Sequence, residues 1–206
     1  EHIYSTKRRD DVCILSCGHA GLAQYVVLEK YEGRDAEKLY STHGVHPHRD
    51  PENGIHVSSG SLGSAVLVAA GYAIACPEKT VHVIVSDGEC AEGSVWEALN
   101  FGRALKNLIV HVNINGYSAY DSIDVLNLCI RLKAFNWRTR LWFTKCPDVK
   151  FLRGLKAHYH VMSKDDKDEL LCVLNEEKIC GNLTQTYARK FKNILDYCRS
   201  WVWNTR

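Results

Sequence analysis

The sequence predicts an α/β protein built on a parallel sheet with helices packed on both faces. Three observations carry this prediction. Residues 81–85, Val-His-Val-Ile-Val, form a β-branched apolar run with the length of a buried strand. Residues 93–106 read as a helix, and residues 108–112 as a second apolar run. Strand, helix, strand in that order is the pattern of a parallel sheet with crossover helices. Both apolar runs end in turn residues that carry a hard oxygen ligand: Ser86-Asp87-Gly88-Glu89 after the first and Asn113-Ile114-Asn115-Gly116 after the second.

The remaining elements fit the same architecture. Residues 11–15 read as a short strand, followed by Ser16-Cys17-Gly18-His19-Ala20-Gly21 and an apolar-periodic helix over about 22–31. Residues 35–40 form a short helix. A polar loop rich in His and Pro follows, from His43 to Gly54. The small-residue turn 58–64 opens a helix over 64–76 made almost wholly of Ala, Val, Leu and Gly, which is expected to be buried because it has no polar face. Past Asn115, residues 123–135 read as an amphipathic helix with Asn136 as its stop, and 138–144 as another strand. His158-Tyr159-His160 falls in a loop. Residues 165–176 read as a helix with an acidic first turn that complements its dipole. A last helix is predicted over 183–203, with Asn182 as N-cap and Trp201 and Trp203 near its end, so that segment 182–206 docks on this domain or on a partner. With no repeat and no low-complexity linker, residues 1–206 are expected to form one domain.

Composition narrows the function classes. A chain of 206 residues can bury a sizeable core. Its 26 basic and 24 acidic residues give a net charge of +2, which offers no electrostatic case for nucleic acid or a membrane surface. No apolar run is long enough to span a bilayer, and residues 1–10 carry no apolar signal-peptide core, so a cytoplasmic location is expected. The nine cysteines are scattered without a C-x-x-C pair, which fits buried thiols in a reducing compartment better than a disulfide framework.

Asp87 and Asn115 are expected at the carboxyl ends of adjacent parallel strands, the edge where open α/β sheets bind ligands. One carboxylate and one amide oxygen suit Mg²⁺, which keeps its other positions for phosphate and water. Asp-Gly and Asn-Gly are also ordinary turn dipeptides, and the residues alone leave both readings open. His19, just ahead of a helix, can face a ligand at the helix N-terminus or simply hydrogen-bond its own loop. His43, His46, His48 and His56 match no common zinc spacing and sit in an irregular loop. The Gly-rich turn ahead of residue 64 leaves free helix N–H groups where an anion or cofactor can sit, or where the helix packs closely.

Six motifs occur in one order: Ser16-Cys17-Gly18-His19-Ala20, Val45-His46-Pro47, Gly60-Ser61-Leu62-Gly63, Ser86-Asp87-Gly88-Glu89, Glu92-Gly93-Ser94-Val95-Trp96-Glu97-Ala98 and Asn113-Ile114-Asn115-Gly116. Together they resemble the N-terminal, thiamine diphosphate-binding domain of transketolase, as found in the N-terminal subunit of split transketolases. The resemblance runs over about residues 11–137 and more weakly to His158. It implies that Asp87, Asn115 and the main-chain carbonyl of Tyr117 bind Mg²⁺ or Ca²⁺, which bridges the two phosphates of thiamine diphosphate. Gly88 and Glu89 would complete the diphosphate loop, and Gly60 and Leu62 would contact the cofactor through their backbones. His19, His46 and His158 would be the catalytic histidines around the reacting atoms. Imidazole is the side chain suited to moving protons near neutrality.

The departures from the family pattern set further expectations. Ser86 stands where the family motif begins with Gly, which matters only if that position needs a positive φ. An upstream Gly-His motif, a strand–helix unit between Trp137 and His158, and the pyrimidine-binding domain are not represented. The expected protein is therefore one subunit or fragment of a transketolase-like transferase that moves a two-carbon ketol unit between sugar phosphates. It would be inactive alone and would complete its site with a pyrimidine-binding, C-terminal partner chain in a homodimer or heterotetramer. The alternative is a non-catalytic homologue that binds thiamine diphosphate or serves as an interaction module. A 1-deoxyxylulose-phosphate synthase type is a third reading, which the Ser-x-Gly-His-Ala and Glu-Gly-x-Val-Trp-Glu-Ala stretches fit less well than transketolase.

Overall fold

A computed structural model describes residues 1–118, 121–136, 138–144, 149–152, 157 and 160–179. The chain divides into two compact units, Glu1–Thr144 and Lys145–Arg206. The first contains α1 (His2–Thr6), β1 (Val12–Leu15), α2 (Gly21–Glu32), α3 (Ala36–His43), α4 (Ser64–Ala75), β2 (Val81–Ser86), α5 (Gly93–Gly102), β3 (Leu108–Ile114), α6 (Val125–Phe135) and β4 (Arg140–Phe143). The second contains α7 (Lys164–Ile179) among its described residues. The predicted helix over 183–203 and the docking segment 182–206 lie outside the described residues, as does His158. No helix among the described residues is long and apolar enough to cross a membrane. Among the described cysteines, Cys13, Cys17, Cys90 and Cys129 are buried.

The four strands lie in the order β1-β2-β3-β4, and every neighbouring pair is parallel. The register places Val12 opposite Val81, and Val81 opposite Leu108. Side chains alternate between the faces of a strand. Val81, Val83 and Val85 accordingly point together into the main core, each fully buried, with Val12, Ile14, Val110 and Val112 from the neighbouring strands. Fully burying one such side chain stabilises the fold by about 1.5–3 kcal/mol relative to leaving it exposed. Helices α4, α5 and α6 supply the other half of this core through Val66, Ala69, Val95, Leu99, Leu128 and Leu132. A smaller cluster of Tyr25, Leu28, Ala36, Leu39 and Ile55 joins α2 to α3.

The second sheet face holds a buried polar pair. His82 Nδ1 lies 3.0 Å from His111 Nε2, and the Trp142 indole N–H donates to His111 Nδ1 at 3.0 Å. Since indole only donates, His111 is neutral with its proton on Nε2, which it gives to His82. The His2 ring of α1 lies 5.1 Å from Trp142, so α1, which periodicity did not predict, covers this face.

Most element boundaries agree with the sequence reading, and the differences have local causes. α5 ends at Gly102 rather than at residue 106. A Cβ at Gly102 would lie 2.8 Å from Leu108 Cδ2, so the chain turns there to enter β3. The Asn107 amide then donates to the carbonyls of Ala73, Cys76 and Lys79, at 2.8, 3.2 and 3.0 Å, fixing the end of α4 to the start of β2. α6 starts at Val125 because Asp124 is its N-cap, accepting from the Asn127 N–H at 3.0 Å. The expectation that α4 is buried all round is corrected. Ala65, Val66, Ala69, Ala70 and Ala73 form its buried face, while Leu67, Val68 and Ile74 are 43, 46 and 52% exposed. The small residues let the helix approach the sheet, and the larger apolar ones face outward.

Candidate functional site

Parallel pairing puts the loops after β1, β2 and β3 side by side at one edge of the sheet, the edge where ligands bind in such folds. Asp87 follows β2 directly and is 3% exposed. Its Oδ2 accepts from the N–H groups of Asn115 at 2.8 Å and Gly116 at 2.7 Å, and its Oδ1 accepts from the Gly88 N–H at 3.0 Å. The Asp87 N–H in turn donates to the Asn113 carbonyl at 2.9 Å. The two predicted ligand loops are thus stitched to each other through one carboxylate.

Burial pushes the Asp87 carboxyl above the usual carboxylate range, and the N–H groups of Gly116, Asn115 and Gly88 pull it part of the way back. Among the described residues no lysine, arginine or histidine pairs with it. A buried carboxylate without a counter-cation is costly, and a divalent ion beside it would supply the missing charge. Oδ1 holds one protein hydrogen bond and retains a lone pair. Asn115 is exposed, and its Oδ1 accepts from the Tyr117 N–H at 2.8 Å. A Cβ built on Gly88 would lie 3.8 Å from the Tyr117 carbonyl oxygen and 3.4 Å from Ser118 Cβ, so this carbonyl closes over the Gly88 turn. One carboxylate, one amide oxygen and one main-chain carbonyl make an all-oxygen donor set, the chemistry that suits Mg²⁺ or Ca²⁺. No group of three His, Cys, Asp or Glu that could hold a metal occurs among the described residues.

Glu89 is fully buried and points away from solvent. Its Oε1 accepts from the Ser16 hydroxyl at 2.6 Å and the Gly63 N–H at 3.0 Å, and its Oε2 accepts from the Ser86 N–H at 2.9 Å and hydroxyl at 3.2 Å. All four contacts are donations to it, the pattern of a carboxylate. One side chain therefore ties the end of β1, the start of α4 and the end of β2. Ser86 keeps a negative φ, since among the described residues none other than glycine has a positive one, and its hydroxyl adds a donor that glycine lacks.

The other half of the edge is built around glycines. A Cβ at Gly18 would lie 2.7 Å from the Gly60 nitrogen and 2.8 Å from His46 Cδ2. Gly18, His46 and Gly60 are therefore in contact, with Gly60 at φ 118°, a conformation side chains rarely adopt. Gly63, at φ 75°, begins α4, and a Cβ there would lie 2.6 Å from Ser94 Oγ and 3.0 Å from Glu92 Cβ. Leu62 stands on the intervening turn, 36% exposed. His19 is exposed, with its Nε2 3.1 Å from Cys17 Sγ. Burial and the charge of Glu89 push the Cys17 thiol up to about 11, so it stays protonated. In the polar loop, His43 pairs with Asp50 at 3.3 Å and packs against Tyr25 and His48.

The structure thus gathers Asp87, Gly88, Asn115 and Tyr117 into one cluster and Gly18, His46 and Gly60 into another, joined through Glu89 and Gly63. Sequence reasoning missed Ser16 and Gly63 as partners of Glu89 and Gly116 as a donor to Asp87. The signal available was a carboxylate directly after a buried strand, which must find donors if it turns inward.

The family model described as 1-deoxy-D-xylulose-5-phosphate synthase matches residues 3–183. A 1-deoxy-D-xylulose-5-phosphate synthase of Fusobacterium nucleatum is 29% identical over 123 residues, covering 58% of this chain and 20% of that protein. The transketolase family protein y4mO of Sinorhizobium fredii is 33% identical over 144 residues, covering 62% of this chain and 51% of that one. The 6-deoxy-6-sulfo-D-fructose transketolase subunit SqwG of Clostridium sp. is 33% identical over 149 residues, covering 63% of this chain and 53% of that one. The chain spans between a fifth and about half of the length of these curated relatives.

Proposed function

The chain belongs to the family of 1-deoxy-D-xylulose-5-phosphate synthase and transketolase N-terminal domains, and on that premise we propose that its Asp87 edge binds thiamine diphosphate through a divalent cation and forms half of a transketolase-like active site. The observation that carries the reading is Asp87: a buried carboxylate, held by three backbone N–H groups, with no cation partner among the described residues. In this reading Asp87, Asn115 and the Tyr117 carbonyl hold Mg²⁺ or Ca²⁺, and Gly60, Leu62 and Gly88 line the cofactor through their backbones. Glu89 shapes the diphosphate loop from beneath rather than touching the ligand.

Thiamine diphosphate would supply a carbon nucleophile there, the chemistry that two-carbon ketol transfer needs. The chain's own residues position it and handle protons. In this reading His46, packed on Gly18 and Gly60, and His19, beside Cys17, exchange protons with sugar hydroxyls. His158 is assigned the same task from its motif alone.

A partner chain completes the site in this proposal. Two features support it. Two of the relatives, one named as a transketolase subunit, are matched over only about half their length and are similar to this chain. The outward face of α4 presents Leu67, Val68 and Ile74, and α2 presents Leu22 and Val26, apolar surface of the kind that marks an interface. The partner would carry the pyrimidine-binding and C-terminal portions, and the substrate would be a sugar phosphate.

Titration calorimetry with thiamine diphosphate and Mg²⁺, with and without such a partner, tests the reading. Binding that needs Mg²⁺, tightens with the partner and is lost in Asp87→Ala is expected. No binding under either condition, or binding unchanged in Asp87→Ala, refutes it. Cofactor binding without ketol transfer in the complete assembly would favour the non-catalytic homologue instead.

A further inference from the structure

At the opposite edge of the sheet, where β1 and β2 begin, a cavity of about 220 Å³ is lined by Lys7, Arg9, Arg34 and Lys79, together with Asp10, Asp11 and Glu32. Its charges do not cancel. The Asp11 carboxylate is taken up from outside the cavity by Arg8, whose Nη2 donates to Oδ1 at 2.9 Å, and by the Thr80 N–H at 2.8 Å. Glu32 is matched by Lys7, Nζ to Oε1 3.2 Å. Arg9, Arg34 and Lys79 then face a single remaining carboxylate, Asp10.

Two features show that the cations are built into the fold. The Lys7 side chain is only 9% exposed, and its ammonium lies 5.1 Å over the Tyr4 ring, so it offers N–H donors beyond the one directed at Glu32. Arg34 follows Gly33, which closes α2 in the left-handed conformation at φ 67°, and the Arg34 N–H donates to the Leu28 carbonyl at 3.3 Å. The arginine is thereby anchored at its backbone, while its Nε is buried and finds no acceptor among the described residues.

We propose that this cavity binds a small phosphate-class anion, either inorganic phosphate or the terminal phosphate of a phosphomonoester. Arg34 lines the cavity, and a guanidinium can pair with phosphate oxygens through its terminal N–H groups, while Lys7, Lys79 and Arg9 add charge around it. The volume of about 220 Å³ accommodates a phosphate group. The site is separate from the Asp87 edge and does not depend on thiamine diphosphate binding.

The experiment titrates the ¹⁵N-labelled full chain with inorganic phosphate in one arm and glycerol phosphate in the other, following amide and arginine Nε–H signals. Saturable shifts at Lys7, Arg34 and Lys79 are expected. In Arg34→Gln the dissociation constant rises by roughly tenfold or more, the effect of losing a charge-assisted contact. Arg34→Lys, which keeps the charge and loses the guanidinium, falls between the two. Saturation by phosphate alone identifies a free anion, and saturation by both probes identifies a phosphomonoester. No saturable shift at this edge, shifts confined to residues 86–89 and 115–117, or equal affinity in wild type and both variants overturns the proposal.

Discussion

Glu89→Gln is the perturbation that most directly tests how the Asp87 edge is held together. Both carboxylate oxygens of Glu89 accept a backbone N–H, from Gly63 at 3.0 Å and Ser86 at 2.9 Å, as well as a serine hydroxyl. Glutamine fills the same space but turns one acceptor oxygen into an NH₂ donor. The serine hydroxyls can rotate to suit, whereas the backbone N–H groups cannot. Whichever way the amide sits, one buried N–H loses its acceptor and faces another donor. Losing a charge-assisted hydrogen bond and stranding the buried donor costs about 2–4 kcal/mol. For a chain of this size that is about 5–15 °C in Tm. Urea denaturation followed by circular dichroism should show a lower midpoint with an unchanged m-value, and Glu89→Ala should lose at least as much. A Glu89→Gln variant within about 0.5 kcal/mol of wild type, the range typical of surface substitutions, would refute the argument.

Two further outcomes are expected. In Gly18→Ala the new methyl would meet the Gly60 backbone and His46, and overpacking of this kind typically costs about 1–3 kcal/mol; thermal melts would show the loss, and an unchanged Tm with unchanged cofactor affinity would contradict the close packing. Burial and the neighbouring His82 push His111 down to about 3, and burial also lowers His82. The unfolded chain therefore takes up protons below pH ~6.5 that the native chain refuses, so stability falls with falling pH from about 6.5 towards the folded value. His111 alone accounts for about 2 kcal/mol between pH 8 and pH 5, which denaturation midpoints across that range would read. His111→Gln should flatten the slope, and identical slopes would count against this assignment.

The architecture was legible because its elements are locally consistent. The apolar runs at 81–85 and 108–112 have only one sensible role, and the helix between them forces parallel pairing. Asp87 and Asn115 were placed together by the same logic, since parallel strands deliver their carboxyl ends to one edge. Less was legible where a residue's task depends on what lies across the fold. Glu89 reads as part of a ligand loop, yet two donors from distant segments, Ser16 and Gly63, and the nearby Ser86 N–H draw it inside. The helix over Ser64–Ala75 reads as buried on both sides, and periodicity carries no sign of which apolar face meets the sheet. The short helix α1 is five residues long, too short for periodicity to register. His82 and His111 sit in runs that read as apolar strands, and only the sheet register brings the rings together.

That pair has a consequence for how the sheet closes. β4 is an edge strand of four residues, three of them exposed, so apolar patterning does little to fix its alignment on β3. Trp142 pairs with Asn113 in the ladder, and its indole reaches His111 two residues away. A slip of β4 along β3 would leave the buried His111 acceptor without its partner, while the half-exposed indole could turn to solvent. The chain of rings thus works as a vernier: one directional bond sets the alignment of a strand too short and too wet to set its own.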